Sequence, residues 1–100
     1  NLRYMNQPFY LMLHIFLLKR DIPKNHGSEY FDTTHGFVVA AMNEVEARIF
    51  AASYREVVND YRRRDESPEV WLDTQTSCTR IGVAEKHVTP GVILEDHQWG

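Results

Sequence analysis

Cysteine is nearly missing from this sequence, which contains Cys78 alone among its 100 residues. A single thiol can form neither an internal disulfide nor a zinc cage built from cysteines. A lone thiol is typical of proteins from reducing compartments. We therefore expect a soluble, cytoplasmic protein whose core forms without covalent cross-links.

An excess of charge of one sign is also lacking: 11 lysines and arginines stand beside 14 aspartates and glutamates, for a net charge of −3. Nucleic-acid-binding domains usually have a basic face, and here the two signs are interspersed. The strongest basic run, Arg62–Arg64, is followed directly by Asp65 and Glu66, which is typical of a solvated helix end. A weak nucleic-acid binder that uses this run together with Arg55 and Arg80 stays an alternative.

No apolar run is long enough for a membrane span. The longest one, Phe9–Leu18, is interrupted only by His14 and would extend about 15 Å as a helix, half of the roughly 30 Å of a bilayer core. The residues behind it, Lys19–Asp21, do not resemble a signal-peptide cleavage site, so we expect no export. Because Pro8 and charged residues bound the run, it predicts a β-strand covered on both faces, with a buried helix as the alternative.

Glycine-rich phosphate-binding loops, serine nucleophile elbows and paired zinc-ligating histidines are all missing. One catalytic constellation can still be drawn, with Cys78 as the nucleophile and a histidine as its base. The candidate bases are His14, His35, His87 and His97. Because nothing in the sequence brings these residues together, we favour a half-buried thiol that behaves as a small hydrophobic side chain.

A metal site is the second constellation, with His26 and His35 as ligands beside Glu29 or Asp32. All four residues fall in a polar segment rich in turn-forming residues, where histidines are mostly solvated. We therefore predict no metal site. Nucleotide and cofactor motifs are missing as well, and we expect no cofactor.

The clearest positive pattern is a helix from about Glu44 to about Arg62. Asn43 is a favourable N-cap, and Glu46 three residues later completes a capping-box pattern. The apolar stripe of this helix consists of Ala47, Phe50, Ala51, Tyr54, Val57, Val58 and Tyr61.

Two features are predicted on the outer face of this helix. Glu44 and Arg48 are spaced for a favourable ion pair one turn apart. Val45, Ile49 and Ala52 form a small apolar strip, which we interpret as a surface for self-association.

Short β-branched runs predict three further strands. They are residues 36–41, 77–84 and 92–94. Within the second of them, Gly82 indicates a bulge or a close backbone approach. The alternation in that strand places three side chains on one face: Thr79, Ile81 and Val83.

The segments between these elements have the composition of turns and loops. Asp21–His35 is predicted to be a long loop, residues 69–73 a short extended segment or a turn, and Asp96–Gly100 a polar tail. Asn1–Tyr4 precede Met5 and are interpreted as an expression remnant or upstream coding sequence.

These elements predict a single α+β domain over residues 1–100. Their order is strand, strand, helix, strand, strand. Such a chain can form a four-stranded mixed or antiparallel sheet with one main helix packed on one face. The order of the strands within the sheet is left open by the sequence.

Four aromatic residues fall in segments predicted to be loop or terminus. Trp and Tyr are enriched among the residues that dominate binding at protein interfaces, and they also cover the ends of small cores. We treat the four as candidate partner-binding residues, with a core-covering role as the alternative: Tyr30, Phe31, Trp71 and Trp99.

A series of short strings extends over about residues 36–96. They are GFVVAA from Gly36, Glu-x-Glu-Ala-Arg from Glu44, Trp-Leu-Asp from Trp71, Ser77-Cys78, Ile-Gly-x-Ala from Ile81, and Gly91-Val-Ile-Leu-x-Asp96. In these strings the chain resembles small uncharacterised proteins encoded by bacteriophages and prophages, from which it departs in its arginine-rich segment 51–68 and in the loop before Gly36. The resemblance implies a bacterial cytoplasmic setting and an accessory role, and it supplies no active-site residues.

The function predicted from these observations is that of a non-enzymatic protein-binding module, such as a phage accessory factor that engages a host protein. A sheet edge or the outer helix face would provide the contact. A second copy of the chain is the other partner that we consider. An enzyme or ligand-binding protein that uses Cys78 and a histidine is the main alternative.

Overall fold

Four strands and one α-helix form the part of the chain that the computed structural model describes, which comprises residues 12–25, 27, 33–57, 68–73 and 75–98. The elements in chain order are strand β1 (His14–Arg20), strand β2 (Thr33–Ala41), helix α1 (Glu44–Val57), a 3-10 helix (Pro68–Trp71), strand β3 (Thr76–Val83) and strand β4 (Gly91–Gln98). The predicted α+β class and the position of the helix after the second strand are confirmed.

The four strands form one sheet in the order β3-β1-β2-β4, and each neighbouring pair is antiparallel. Of the two kinds of sheet that the sequence allowed, the antiparallel one is the one observed. The apolar strands β1 and β2 lie at its centre, where each has a neighbour on both sides, while the outer strand β3 is largely exposed. This placement shields the strands with the most apolar side chains from water.

The strands differ in extent from their predictions. The first part of the predicted β1, residues 9–11, lies outside the described residues. Residues 33–35 belong to β2 and not to the predicted loop, and residues 96–98 belong to β4 and not to the predicted tail. The reason is pairing between strands that are distant in sequence, such as Thr34 with His97, because such pairing overrides weak local strand propensity.

The register of β3 against β1 skips one residue at Ile81. This is a β-bulge beside Gly82, one of the two features that the sequence indicated there. The predicted common face of Thr79, Ile81 and Val83 is wrong, because an extra residue reverses the alternation of side chains along the rest of the strand.

Helix α1 begins as predicted. The backbone N–H of Glu46 donates to Asn43 Oδ1 at 2.9 Å, and the Glu46 carboxylate accepts from the backbone N–H of Met42 at 2.8 Å. Two N–H groups that lack partners within the helix are thereby satisfied. The rest of the predicted helix, residues 58–62, lies outside the described residues. No helix in the described ranges is both long enough and apolar enough to cross a membrane.

One buried cluster contains side chains of the helix, the 3-10 helix and the two central strands. Its members are Phe16, Leu18, Phe37, Val39, Ala41, Ala47, Ala51, Ala52 and Trp71. Phe50 and Tyr54 of the predicted helix stripe pack against this cluster. The ring of Phe37 meets that of Trp71 edge to face at 4.8 Å between centroids, so the 3-10 helix is joined to the centre of the sheet.

The apolar strip predicted on the outer helix face is only partly correct. Val45 and Ile49 are 69% and 49% exposed, but Ala52 is 5% exposed and belongs to the buried cluster. Ala52 lies one turn after Arg48, which is itself buried. The apolar face of the helix is therefore wider than the predicted stripe.

The ion pair predicted between Glu44 and Arg48 is present, with Arg48 Nε 3.0 Å from Glu44 Oε2, but Arg48 is not on a solvated face. Its Nη1 donates to the Asp73 carbonyl at 2.7 Å and to the Thr76 hydroxyl at 2.8 Å. Its Nη2 donates to the Thr76 carbonyl at 2.8 Å. The carbonyl of Trp71 accepts from Nη1 at 3.3 Å. One guanidinium thus connects the helix, the end of the 3-10 helix and the start of β3.

The substitution Arg48→Met should lower the free energy of unfolding by about 3 kcal/mol, because several buried acceptors lose their donor. Arg48→Lys should recover little of this, since an ammonium lacks the planar fork of donors. Urea unfolding followed by circular dichroism measures both effects. The matched control is Glu44→Gln: the Glu44 side chain is 56% exposed, and its loss should cost less than about 1 kcal/mol. Equal losses in Arg48→Met and Glu44→Gln would contradict the connecting role of Arg48.

Gly36 lies where β2 leaves no room for a side chain. A β-carbon at this position would be 2.8 Å from the carbonyl oxygen of Leu18 on β1, which is far inside van der Waals contact. The obstructing atom belongs to the backbone of a central strand and cannot rotate away. A side chain at position 36 would therefore push the two central strands apart.

Gly36→Ala should destabilise the protein by about 1–3 kcal/mol, as overpacking typically does. Thermal unfolding by calorimetry measures the loss. Gly82→Ala is the matched control in the outer strand, because a β-carbon there would have nothing within 4 Å and should change stability by less than about 1 kcal/mol. A tolerated Gly36→Ala would show that the close approach of the strands is not required.

Candidate functional site

The sheet has one face that the buried cluster does not use. Side chains alternate along a strand, so Leu17 and Lys19 lie on the side of β1 opposite Phe16 and Leu18. In the same way, Gly36 and Val38 lie on the side of β2 opposite its buried side chains. Residues paired across antiparallel strands share a face. Leu94 pairs with Val38, and Asp96 pairs with Gly36, so both lie on this side as well.

We call this surface the open face and define it by two rows of residues. The aliphatic row runs across β1, β2 and β4 and consists of Leu17, Val38 and Leu94, which are paired in register. The charged row lies two residues further along the strands and consists of Lys19, Gly36 and Asp96, also paired in register. Alternation and pairing therefore put three aliphatic side chains beside one base, one acid and a gap.

The open face is only partly covered. Leu94 is 62% exposed, Leu17 and Val38 are half-buried, and Lys19 and Asp96 are exposed. The predicted cover of β1 is present on the side of Phe16 and Leu18. On the side of the open face it is partial, since Leu17 is only half-buried. At the end of the open face that lies away from the charged row, Leu13 and Ala40 are buried.

A groove of about 760 Å³ runs over the two rows. Its walls include Ile22 from the segment after β1 and His35 from the start of β2. This volume lies within the range of about 300–1,000 Å³ that is typical of ligand sites. An aliphatic floor with a few charged groups at its margin is suited to hold an apolar anchor and to orient it.

Lys19 and Asp96 stand on either side of Gly36. Neighbouring strands are about 4.8 Å apart, so their backbones are separated by roughly 10 Å across β2. Among the described residues neither of the two side chains forms an ion pair. A partner on this face would therefore meet Lys19 and Asp96, both available for charge-assisted hydrogen bonds, and Arg20, His35 and Glu95 also line the groove.

A polar cluster lies at the end of β4, on the core side. Thr34 Oγ1 donates to Glu95 Oε2 at 2.5 Å, and His97 Nδ1 lies 3.3 Å from Thr34 Oγ1 and 4.0 Å from Glu95 Oε2. Thr34 is completely buried, and the side chains of His97 and Glu95 are only 5% and 7% exposed. A hydroxyl, a carboxylate and an imidazole are together here, and all three side chains are almost completely buried. The cluster instead connects β4 to β2 beside the charged row.

Cys78 is partly buried and packs against the apolar cluster. Burial raises the pKa of the Cys78 thiol, the negative charge of Glu44 raises it further, and the guanidinium of Arg48 opposes this rise. Catalytic cysteines have lowered pKa values. Of the candidate bases, His14 accepts a hydrogen bond from Arg80 Nε at 2.9 Å, and His97 belongs to the polar cluster with Thr34 and Glu95. The Cys78 constellation gains no support from this arrangement.

Of the four predicted partner-binding aromatics, Tyr30, Phe31 and Trp99 lie outside the described residues. Trp71 is completely buried against Phe37. This position fits the core-covering role that was the alternative to partner binding. The predicted basic run, residues 62–64, and three of the four loop metal ligands also lie outside the described part of the chain. Within that part, no group of three metal-ligating side chains occurs.

The open face was missed by sequence reasoning, although part of its signal was present. The alternation in β1 separates Leu17 and Lys19 from Phe16 and Leu18, and this could be read from the sequence. What was hidden is that β4 lies next to β2, because strand order is decided by long-range pairing. Leu94 and Asp96 could not be placed beside Val38 and Gly36 without it.

Comparison with known proteins adds no family. The sequence matches no family model and no curated protein, and the fold matches no solved structure. The function must therefore be argued from the site itself. The resemblance to phage-encoded proteins stays a prediction.

Cys78 should react slowly with iodoacetamide at neutral pH, because a raised pKa leaves little thiolate and the side chain is partly buried. The rate should continue to rise with pH beyond the ordinary range of a free thiol. Mass spectrometry of the alkylated protein measures the rate, with the urea-unfolded chain as the control. A reaction faster than that of the unfolded chain would contradict the inert role and revive Cys78 as a nucleophile.

Proposed function

We propose that this protein is a non-enzymatic protein-binding module that docks its partner on the open face. The observation that carries the proposal is the aliphatic row of Leu17, Val38 and Leu94, of which Leu94 at the rim is 62% exposed. Exposed apolar side chains that adjoin one another and are rimmed by polar groups are typical of interaction sites. Lys19 and Asp96 provide such a rim.

We infer that helix α1 covers the other face of the sheet. Tyr54 meets Phe37 edge to face at 5.7 Å between ring centroids, and Ala47 and Ala51 belong to the same buried cluster as Phe37. The connection from β2 to β3 also has to pass β1, which lies between these strands. A partner would then be confined to the face opposite the helix or to the outer strands.

The alternatives have less support among the described residues. An enzyme that uses Cys78 would need a thiol of lowered pKa, whereas burial raises it. Nucleic-acid binding through Arg62–Arg64 concerns residues outside the described ranges and stays a prediction. A bacterial cytoplasmic setting and a host protein as the partner likewise stay predictions, motivated by the resemblance to phage-encoded proteins.

The test is selection of peptides from a random displayed library on the immobilised protein, followed by binding of the purified peptides and of the labelled protein itself. Leu94→Asp should weaken whichever of these interactions occurs by at least about tenfold, because it places a charge within the apolar contact. Its high exposure predicts that this variant folds, which circular dichroism checks.

The matched control is Ile49→Asp, which places the same charge on the exposed outer face of helix α1. It should leave binding unchanged. Binding that is equally sensitive to both variants, or no binding by peptides and by the protein itself at high concentration, would overturn the proposed function.

A further inference from the structure

We propose that the partner on the open face is a second copy of this chain, packed face to face about a two-fold axis that runs along β2. This inference rests on the proposed function, because it names the occupant of the same surface. Its basis is the order of groups across the charged row: Lys19 on β1, Gly36 on β2 and Asp96 on β4.

A two-fold axis along β2 exchanges the two sides of the sheet and keeps each row at its own level. Lys19 of one copy then faces Asp96 of the other copy, and the symmetry repeats this pair on the opposite side. A single surface patch thus provides both members of each ion pair, as a closed two-fold interface requires.

The same operation aligns the aliphatic rows. Leu17 of one copy faces Leu94 of the other, again twice, and Val38 packs against Val38 near the axis. An axis across the strands would instead place charged groups over aliphatic ones and remove their water without compensation. Only the axis along β2 satisfies both rows.

The spacing of packed sheets suits these pairs. Face-to-face sheets lie about 10 Å apart, a distance that a lysine and an aspartate extended from opposite sheets can close. Gly36 lies on the axis without a side chain, so no side chain of β2 in this row obstructs the path of the Lys19 ammonium to the carboxylate.

The size of the patch sets the strength of the contact. Two rows across three strands outline roughly 14 × 13 Å, or about 190 Å² of planar area per copy. Stable protein pairs bury about 800 Å² per partner. The dimer should therefore be weak and in concentration-dependent equilibrium with the monomer.

The experiment uses sedimentation equilibrium of the full chain over a wide concentration range at low salt. Lys19→Asp and Asp96→Lys should each weaken self-association by at least about tenfold, because each faces two like-charge contacts in place of two attractive ones. An equimolar mixture of the two variants should restore the dimer as a heterodimer. Added salt should weaken both the wild-type dimer and this heterodimer.

The matched controls are Lys86→Asp and Glu85→Lys, which make the same charge changes at exposed residues of the connection between β3 and β4. They should leave self-association unchanged, alone and mixed. This separates a specific pairing on the open face from a general effect of net charge.

The outcomes distinguish the two proposals. A monomer at every concentration whose open face still binds selected peptides, with loss in Leu94→Asp, overturns the second-copy inference and leaves the proposed function standing. A dimer that these charge variants do not affect, or a mixture that does not restore it, also overturns the inference. If the protein neither self-associates nor binds peptides, both proposals are overturned.

Discussion

The guanidinium of Arg48 is the interaction on which the connections of this fold depend. Helix α1, the 3-10 helix and β3 are separate in sequence. The buried side chain of Arg48, on the helix, donates hydrogen bonds to Trp71 at the end of the 3-10 helix, to Asp73 and to Thr76 at the start of β3. The guanidinium carries five N–H donors in a planar fork, more than any other side chain, so it can satisfy several carbonyl groups that approach from different directions. The outer strand β3 is held beside β1 by its ladder, and its first residue is held to the helix by Arg48.

The side chains near the buried Arg48 serve the structure and not the proposed function. Cys78 lies on β3 two residues beyond Thr76, packed against the apolar cluster. Glu44 and Arg48, which satisfy the helix and the turn, act in opposite directions on the pKa of the thiol. The thiol that the sequence suggested as a nucleophile therefore packs against the core. The hydroxyl, carboxylate and imidazole cluster of Thr34, Glu95 and His97 is likewise buried. The groups left for a partner lie on the open face.

The open face follows from a compromise in the central strands. β1 is apolar on both sides, and only one side meets the buried cluster, so Leu17 adds an apolar group to a face with incomplete cover. Gly36 has to remain a glycine because of the Leu18 carbonyl, and this leaves a gap between Lys19 and Asp96. A surface formed by packing requirements within the sheet has thereby acquired a symmetrical arrangement of charge about β2.

Local patterns in the sequence determined the capped start of helix α1 at Asn43. They also predicted the apolar strands β1 and β2, with a helix as the alternative for β1, and indicated a bulge at Gly82 as one of two possibilities. Tertiary structure decided the strand order, the extension of β4 through His97, the burial of Arg48 and Ala52, and the neighbours of Leu94 and Asp96. These depend on pairing and packing between residues far apart in the chain, and such contacts leave no periodic trace in a single sequence. The candidate site lies where three strands meet, so the sequence could supply its residues but not their arrangement.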